Sequence, residues 1–432
     1  MPACAGRELT DPFEELPEGP GRHAAVRRVL TDPAHHGLGE ALEVHSRTTP
    51  APPVLLRSRY KPGRTLRAYY RMRRSAGARE QHLAVTWSLQ QEGGHSAAPD
   101  VLLSPSDPAM PQLERLADAG HVSALLEQLT GRAMPPAASA RVTTVRYRPG
   151  QRHVLRVRLD SRGRSVYVKT DRDRSGARAV PVAELVRAVL ARSCPEVDVV
   201  EAIGYSSASS SALWWASAGS PLARLLLTGA PGTSQAVNRL GEALRTLHED
   251  PSLHRLATSG TTVRERDAAA EADALLGCGS HIAALLPDAA RAFGDLASAA
   301  LEDLEAMPEE EPGFTHGDFK AENVLVRRSR PRILDLDRWC RAEPALDLGK
   351  LLADLAWWSR EPDEVRRLQR TLKAGYGPCD PVRWQRADRW AVLFMLKFAA
   401  RRCLLHDPAW PSRVASQIDA AGEALLAARR SR

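Results

Sequence analysis

The stretch FTHGDFKAENVLV, residues 314–326, combines charged and apolar residues in an order that few folds accommodate. Five polar or charged side chains are crowded into eight residues, and the apolar run 324–326 follows them at once. A second apolar pair, residues 333–334, can pair with that run as an antiparallel hairpin. The pairing would bring three polar side chains to one end of a small sheet: Asp318, Asn323 and Asp335.

These three side chains have the chemistry that phosphoryl transfer to an alcohol requires. The Asp318 carboxylate can accept a hydroxyl proton, whereas the Asn323 carbonyl and the Asp335 carboxylate are hard oxygen ligands suited to Mg²⁺. Upstream, Lys169 lies in the apolar strand SVYVKT and can hold nucleotide phosphates. Catalysis of this transfer consists mostly of positioning and charge neutralisation, so the set predicts a site for a nucleotide, Mg²⁺ and a hydroxyl acceptor.

An internal repeat predicts two related β units. Residues 60–72, YKPGRTLRAYYRM, and residues 147–159, YRPGQRHVLRVRL, both begin with Tyr, a basic residue, Pro and Gly, and continue as strands of the same parity. A further apolar strand follows each copy. It carries Lys169 in the second copy, but Thr86 and Trp87 in the first. We therefore expect the first copy to form a β-rich cap without a nucleotide site; two similar turns arising by coincidence are the alternative.

The rest of the sequence has mostly helical patterns. A connector between the two β units, residues 105–129, has helical periodicity. Residues 181–194 have apolar side chains at helical spacing behind Pro181, which predicts a helix that begins there. From Ser234 onward the pattern is helical except around residues 314–335.

Composition argues against several classes of protein. Hydrophobic residues make up 43% of the 432 residues, enough for sizeable cores, and no apolar run approaches the roughly 20 residues that span a bilayer. The N-terminal sequence lacks a basic start followed by an apolar core, so we expect a cytoplasmic protein without a secretory signal. The six cysteines are scattered without a CxxC pair, which favours reduced thiols over disulfides or a zinc site.

The net charge of +8 raises the question of nucleic-acid binding. The densest basic patch, residues 57–74, alternates in the manner of a strand with one apolar face and one solvated basic face. No nucleic-acid docking motif accompanies this charge, so we expect no nucleic-acid partner.

Four motifs together resemble the aminoglycoside phosphotransferase and choline kinase superfamily. HGDFKAENVLV (316–326) with ILDLD (333–337) is similar to its catalytic hairpin, and PALDLGKLLADLAWW (344–358) resembles the start of the helix that follows. LGEALRTLHED (240–250) resembles a helix that ends in Leu-His, and VYVKT (166–170) resembles the strand with the phosphate-binding lysine.

The resemblance, which covers about residues 140–432, implies an α+β fold of the bilobal protein-kinase type. An antiparallel β N-lobe, residues 131–216, would bind the nucleotide. A mainly helical C-lobe, residues 217–432, would carry the catalytic loop and the acceptor site. Residues 1–130 would form an extra β-rich N-terminal cap, which loosely resembles the cap of maltokinase-like members and contains the altered copy of the N-lobe unit.

The resemblance also gives each matching residue a role. Asp318 would be the catalytic base or hydroxyl-orienting group, and Lys320 would touch the γ-phosphate, as in the related HRDLKxxN loop of protein kinases. No GxGxxG loop is present, so Arg152 beside the turn at Pro149 would help to cover the phosphates. The remaining nucleotide-binding residues would be Lys169, its acidic partner Glu184, Trp215 and Ser217. The Mg²⁺ ligands would be Asn323 and Asp335, and the structural residues at the site would be His316 and Asp347.

The expected activity is phosphorylation of a hydroxyl of a small sugar, aminocyclitol or aminoglycoside-like acceptor, with ATP or GTP as co-substrate and Mg²⁺ as cofactor. Two alternatives stay open. Lys320 favours a protein kinase, although HGD replaces HRD and no Ala-Pro-Glu segment follows Asp335. The other alternative is a non-catalytic scaffold of kinase shape. No membrane partner is expected, and the acceptor's identity and the oligomeric state stay open.

Overall fold

The computed structural model describes most of the chain in eight segments. These segments are residues 18–32, 53–72, 81–88, 99–134, 140–160, 163–259, 263–359 and 361–430. Several parts of the expected cap lie outside the described residues, namely 1–17, 33–52, 73–80 and 89–98. The start of the N-terminal sequence, Cys4 and the end of the basic patch fall in those parts.

The described segments contain fifteen strands. They are β1 Val54–Lys61, β2 Thr65–Met72, β3 Gln81–Ser88, β4 Asp100–Leu103, β5 Arg141–Arg148, β6 Arg152–Arg158, β7 Ser165–Asp171, β8 Asp198–Val199, β9 Ala202–Ser206, β10 Ser211–Trp215, β11 Ser220–Pro221, β12 Gly313–Thr315, β13 Val324–Arg327, β14 Arg330–Ile333 and β15 Cys340–Ala342.

The same segments contain thirteen α-helices. They are α1 Pro20–Thr31, α2 Gln112–Leu116, α3 Ala119–Thr130, α4 Ser175–Ser193, α5 Leu222–Thr228, α6 Thr233–Glu249, α7 Pro251–Thr258, α8 Ala268–Leu285, α9 Pro287–Glu305, α10 Ala345–Trp358, α11 Pro362–Tyr376, α12 Pro381–Arg402 and α13 Trp410–Arg430.

The cap is a four-stranded antiparallel sheet in the order β1-β2-β3-β4, which confirms the expected β-rich unit. Along β2 the apolar residues alternate with polar ones, and all four face the core with at most 3% exposure. They are Leu66, Ala68, Tyr70 and Met72. The Tyr70 hydroxyl donates to the Leu30 carbonyl of α1 (2.8 Å), and His23 of α1 contacts the Leu405 carbonyl of the C-lobe (2.9 Å). The cap is therefore anchored to the far lobe.

The N-lobe is a five-stranded sheet in the order β5-β6-β7-β10-β9. Strands β5 to β7 form a meander, as β1 to β3 do in the cap. The two copies can therefore be compared position by position through the pairing of their second and third strands. Lys169 lies opposite Val154, and Thr86 lies opposite the matching residue, Arg67. The cap copy thus has a hydroxyl where the N-lobe has its strand lysine, and the absence of a nucleotide site there stays a prediction. Common origin of the two units stays a prediction.

The connector between the two sheets packs on the N-lobe. Helices α2 and α3 bury Leu113 and Leu126 against the sheet residues Leu155 and Val168. Just before α2, Asp107 accepts hydrogen bonds from the Tyr147 hydroxyl and the Gly150 amide (2.8 Å). The Asp107 carboxylate thus fixes the Pro-Gly turn between β5 and β6. A glycine-rich loop in the same place would have more conformational freedom.

Helix α4 begins at Ser175, six residues earlier than the sequence pattern predicts. Pro181 therefore lies inside the helix rather than at its first turn. A proline there removes one backbone hydrogen bond. Burial of Ala179, Val180 and the following apolar stripe against the N-lobe sheet and the adjoining lobe outweighs this loss.

The C-lobe contains helices α5 to α13 and the predicted hairpin. Strands β13 and β14 pair antiparallel with Val324 opposite Ile333, as expected, and β11 and β8 flank them. None of the described helices is long and apolar enough to cross a membrane. The five cysteines of the described segments are all free thiols.

Helices α6 and α11 lie unusually close together because glycines form their contact. A Cβ atom on Gly375 would lie 1.9 Å from the Asn238 carbonyl oxygen, and one on Gly241 would lie 2.5 Å from the Leu372 carbonyl oxygen. Backbone atoms cannot move aside as flexible side chains can, so no larger residue fits at either position.

We expect Gly375→Ala to lower the free energy of unfolding by about 1–3 kcal/mol, because overpacking forces the two helices apart. The control is Gly294→Ala in α9, where a Cβ meets nothing within 4 Å. That change should be neutral or stabilising by up to about 1 kcal/mol, since alanine favours helix. Urea unfolding of both variants checks this, and a stability gain for Gly375→Ala would contradict the close packing.

Candidate active site

Asp347 fixes the shape of the loop between β12 and the hairpin. Its fully buried carboxylate, at the start of α10, accepts hydrogen bonds from the backbone amides of His316 (2.6 Å) and Gly317 (2.9 Å). Burial would raise the pKa of Asp347, but these bonds and the nearby imidazole of His248 (3.6 Å) keep it below its usual value. His248 is the histidine that ends α6, so the Leu-His motif supports the same loop.

The loop residues His316 and Gly317 have structural roles in this geometry. His316 Nδ1 accepts from the Asp318 amide (3.2 Å), and its Nε2 donates to the Leu334 carbonyl of the hairpin (2.9 Å). Gly317 has φ +70, and a Cβ there would lie 2.2 Å from the Arg338 carbonyl oxygen. Only glycine satisfies both conditions. The sequence HG thus holds Asp318 at a fixed distance from the hairpin.

Asp318 lies between two lysines. Lys350 Nζ contacts its Oδ1, and Lys320 Nζ lies 3.0 Å from its Oδ2. Burial alone would raise the pKa of Asp318, but the charges of Lys350 and Lys320 hold it well below its usual value. The carboxylate is therefore ionised at every physiological pH, and it is more suited to orient a hydroxyl than to remove its proton in the ground state.

Lys350 is a site residue that the sequence reasoning missed. It lies one turn after Asp347 in α10, its side chain is 9% exposed, and its Nζ sits 4.9 Å from the centre of the Phe394 ring. Burial lowers the pKa of Lys350 to about 8, although Asp318 acts in the opposite direction. A signal was present: lysine occurs six times in the chain, and this one interrupts the apolar run ALDLGKLL.

Asn323 and Asp335 flank one end of the hairpin, as predicted. The Asn323 Nδ2 donates to the Asp318 carbonyl (2.9 Å), and the Leu334 amide donates to the Asn323 carbonyl (2.8 Å). The first bond leaves Asn323 Oδ1 as a potential ligand atom. The two side chains offer hard oxygens of the kind that Mg²⁺ prefers. No cluster of three or more His, Cys, Asp or Glu that could hold a metal alone occurs in the described segments.

Lys169 is paired with Asp335 and, at 3.3 Å, with Asp337. The expected partner, Glu184, is exposed on α4 and forms no ion pair with Lys169 in the described structure. The reason is that the buried stripe of α4 faces the sheet, which turns Glu184 outward. Burial would lower the pKa of Lys169, but the two carboxylates raise it, so this lysine is charged.

Arg152 completes the network on the nucleotide side. It pairs with Asp171 and, through Nη2, with Asp337 at 3.0 Å. Burial and the neighbouring Asp335 raise the pKa of Asp337 to about 6. Asp337 is a second residue that the sequence analysis did not place in the site. The ionised network has two positive side chains and three negative ones, so it carries one net negative charge. The positive ones are Lys169 and Arg152, and the negative ones are Asp171, Asp335 and Asp337.

The segment that links the lobes starts at Trp215. The Trp215 and Ala216 amides already donate to the carbonyls of Glu201 (3.0 Å) and Ser165 (2.9 Å). Ser217, which follows them, is half-buried. The expected contact of a nucleotide base with the backbone at Trp215 and Ser217 therefore stays a prediction, with the Ser217 peptide group as its natural partner.

A two-lobed molecule with this hairpin, this strand lysine and this loop has the architecture of a kinase-like phosphotransferase. Residues 143–390, more than half of the chain, match the model of the phosphotransferase enzyme family. The chain belongs to this family, and it is a small-molecule phosphotransferase acting on a hydroxyl group. This confirms the expected superfamily and fold. No curated protein matches the chain significantly.

Several solved structures are similar to this chain at low sequence identity. A choline/ethanolamine kinase family protein from Mesorhizobium loti is 19% identical, with a TM-score of 0.46 over 64% of this chain and 89% of that one. Spectinomycin phosphotransferase, in complex with ADP and spectinomycin, is 12% identical, with a TM-score of 0.49 over 72% and 98%. Choline kinase from Cryptosporidium parvum is 8% identical, with a TM-score of 0.47 over 70% and 95%.

We expect Lys350→Met to lower kcat by about 10²-fold, because Asp318 loses the partner that fixes its position. Nucleotide affinity should be unchanged. In the wild-type enzyme the Lys350 proton leaves as the pH rises through about 8, so kcat should fall there. Lys350→Arg keeps its charge over this range and should move that alkaline limb upward.

The measurement is the pH dependence of kcat for the three proteins, with the acceptor found as described below. A normal kcat in Lys350→Met, with the alkaline limb unchanged, would show that Lys350 has only a structural role.

Proposed function

We propose that the protein transfers the γ-phosphate of ATP or GTP, bound with Mg²⁺, to a hydroxyl of a small sugar, aminocyclitol or related polyhydroxy acceptor. The observation that carries the proposal is the convergence of Asp318, Asn323, Asp335 and Lys169 around the hairpin β13–β14. Membership of the phosphotransferase family supports the reaction type.

The charge of the network around Lys169 supports a divalent cation as part of the bound nucleotide. Three carboxylates face two cations there, so one negative charge is left. Mg²⁺ would be held by Asn323 Oδ1 and Asp335, with nucleotide phosphates and water as further ligands. The ion supplies charge neutralisation at the phosphates when it is bound. With Asp335 serving as an ion ligand, Lys169 would be available to contact the phosphates.

The two lysines at Asp318 differ in a way that supports distinct roles. Lys350 is nearly buried and stays with Oδ1, whereas the Lys320 side chain is 23% exposed and borders Oδ2 at 3.0 Å. An acceptor hydroxyl can replace Lys320 at Oδ2, and Lys320 can then turn to the γ-phosphate. Asp318 orients the hydroxyl and receives its proton late, when the forming P–O bond has made that proton acidic.

A protein-kinase activity receives no support beyond the Lys320 signal. Lys320 contacts Asp318 and lies 4.0 Å from Glu322, so its position is compatible with small-molecule transfer. The chain between Asp335 and α10 is short and is held in β15 and a 3₁₀ turn, Leu336–Arg338. It contains no long segment that would present a peptide.

The test is an ATP- and GTP-consumption screen over small alcohols, followed by Asp318→Asn. We expect this variant to lower kcat by about 10² to 10⁴, the usual contribution of a positioned acid or base. Its nucleotide affinity, measured by calorimetry, should be unchanged because the side chain faces the acceptor.

The matched control is Asp419→Asn, since Asp419 is an exposed acid on α13. It should keep full activity. Removal of Mg²⁺ with a chelator should abolish turnover in all three proteins. Near-normal turnover in Asp318→Asn, or activity in excess chelator, would contradict the proposed function.

A further inference from the structure

A cavity of about 480 Å³ lies between the cap sheet, the tip of the β5–β6 hairpin and the C-lobe. Its size suits a small molecule rather than a macromolecule. The described residues that line it include eight arginines and lysines and no aspartate or glutamate. The cap contributes four of these cations: Arg57, Arg59, Lys61 and Arg67.

None of the eight cations forms an ion pair with a carboxylate within the described segments. Elsewhere the same segments pair their surface arginines readily, as in Arg330 with Glu196 (2.6 Å) and Arg332 with Asp198 (2.8 Å). The sequence has 52 acidic residues, so carboxylates are not scarce. The described lining of this cavity thus differs from the surface around Arg330 and Arg332, because its arginines have no carboxylate beside them.

The cations also repel each other. Arg59 and Arg67 lie directly opposite on β1 and β2, an arrangement of like charges that destabilises a sheet. From the N-lobe, Arg146 and Arg148 face the same cavity. Burial, with the charges of Arg146, Arg57 and Arg152, lowers the pKa of Arg148 to about 9. A bound anion would relieve this repulsion.

The cavity adjoins the catalytic loop. Its C-lobe wall includes Arg338, whose carbonyl oxygen is in contact with Gly317, the residue before Asp318. It also includes Arg401, next in sequence to Arg402, which pairs with Glu322 of the loop (3.4 Å). Two residues of the cavity wall therefore belong to elements that contact the catalytic loop.

The acids at the site offer little to a cationic ligand. Asp337 is paired with Lys169 and Arg152, and Asp354 is paired with Arg402 (2.6 Å). Each of these carboxylates is already neutralised by a fixed cation of the protein. Among the described residues that line the cavity, by contrast, every charged side chain is positive.

We propose that this cavity binds the anionic groups of the acceptor, which is therefore a phosphorylated or carboxylated polyhydroxy compound rather than an aminoglycoside-like cation. This inference rests on the proposed function. In the reaction the acceptor oxygen bonds to the γ-phosphorus as the bond to the β–γ bridging oxygen breaks. The nucleoside diphosphate leaves, and the hydroxyl proton passes to Asp318 and then to solvent.

The first experiment measures binding without turnover. Inorganic pyrophosphate is titrated calorimetrically into the full-length protein saturated with Mg²⁺ and ADP, so that the nucleotide site is filled. We expect binding that weakens by about tenfold or more in Arg57→Ala/Arg67→Ala, because hydrogen bonds to charged groups are lost. The control is Arg64→Ala in the turn between β1 and β2, a residue that does not line the cavity, and this variant should bind normally. No binding, or equal binding by both variants, would overturn the cavity as an anion site.

The second experiment compares transfer to a pool of sugar and polyol phosphates with transfer to the same pool after dephosphorylation. A pool of amino sugars is the third arm. We expect the phosphorylated pool to be the best substrate, with KM raised about tenfold or more in Arg57→Ala/Arg67→Ala and kcat nearly kept. Preference for the neutral or amino pool would overturn the acceptor assignment while leaving the proposed function intact. A third outcome is possible, in which no pool is phosphorylated but pyrophosphate binding is lost in the double variant. That outcome would support the cavity as an anion site and contradict its role as the acceptor site. Normal folding of the variants is checked by their unchanged ADP affinity.

Discussion

The ion pair between Lys169 and Asp335 is the interaction on which the arrangement of both lobes at the site depends. It joins the central strand of the N-lobe sheet to the end of the catalytic hairpin, across 166 residues of sequence. Two half-buried charges of opposite sign satisfy each other, and Asp337 and Arg152 extend the pairing to four side chains. A largely desolvated charge left without its partner would be destabilising, so the pair holds the lobes in register until a nucleotide with its cation supplies other partners.

The remaining acidic and basic side chains are distributed unevenly between the catalytic loop and the cavity. Acidic side chains around the catalytic loop are neutralised by fixed cations, including Lys350 beneath Asp318. Positive side chains collect without acidic partners, within the described segments, in the cavity that the cap closes. The cap thus has a use beyond packing. Its buried face stabilises the sheet through Leu66 and Tyr70, while its other face carries the arginines that line the cavity.

Local patterns in the sequence were enough to predict the hairpin, the strand with Lys169 and the β-rich cap, because period-two alternation and turn residues act over a few positions. The partner of Lys169 could not be predicted in this way. Glu184 was the nearest acid in the expected helix, but the face of α4 that packs on the sheet turns it outward. Lys350 and the arginine cavity were also missed, since both depend on contacts between elements far apart in sequence. The start of α4 was misplaced because tertiary packing accommodates Pro181 inside the helix.

The most direct test of this account is a crystal structure of the protein with Mg²⁺ and a non-hydrolysable ATP analogue. The account predicts that Lys169 Nζ leaves Asp335 and contacts a phosphate oxygen. It also predicts that Asn323 Oδ1 and an Asp335 oxygen lie about 2.0–2.1 Å from the Mg²⁺ ion, the usual distance for this metal. A nucleotide bound away from the hairpin, or bound there with Lys169 still paired to Asp335 and no metal contact from Asn323, would contradict it.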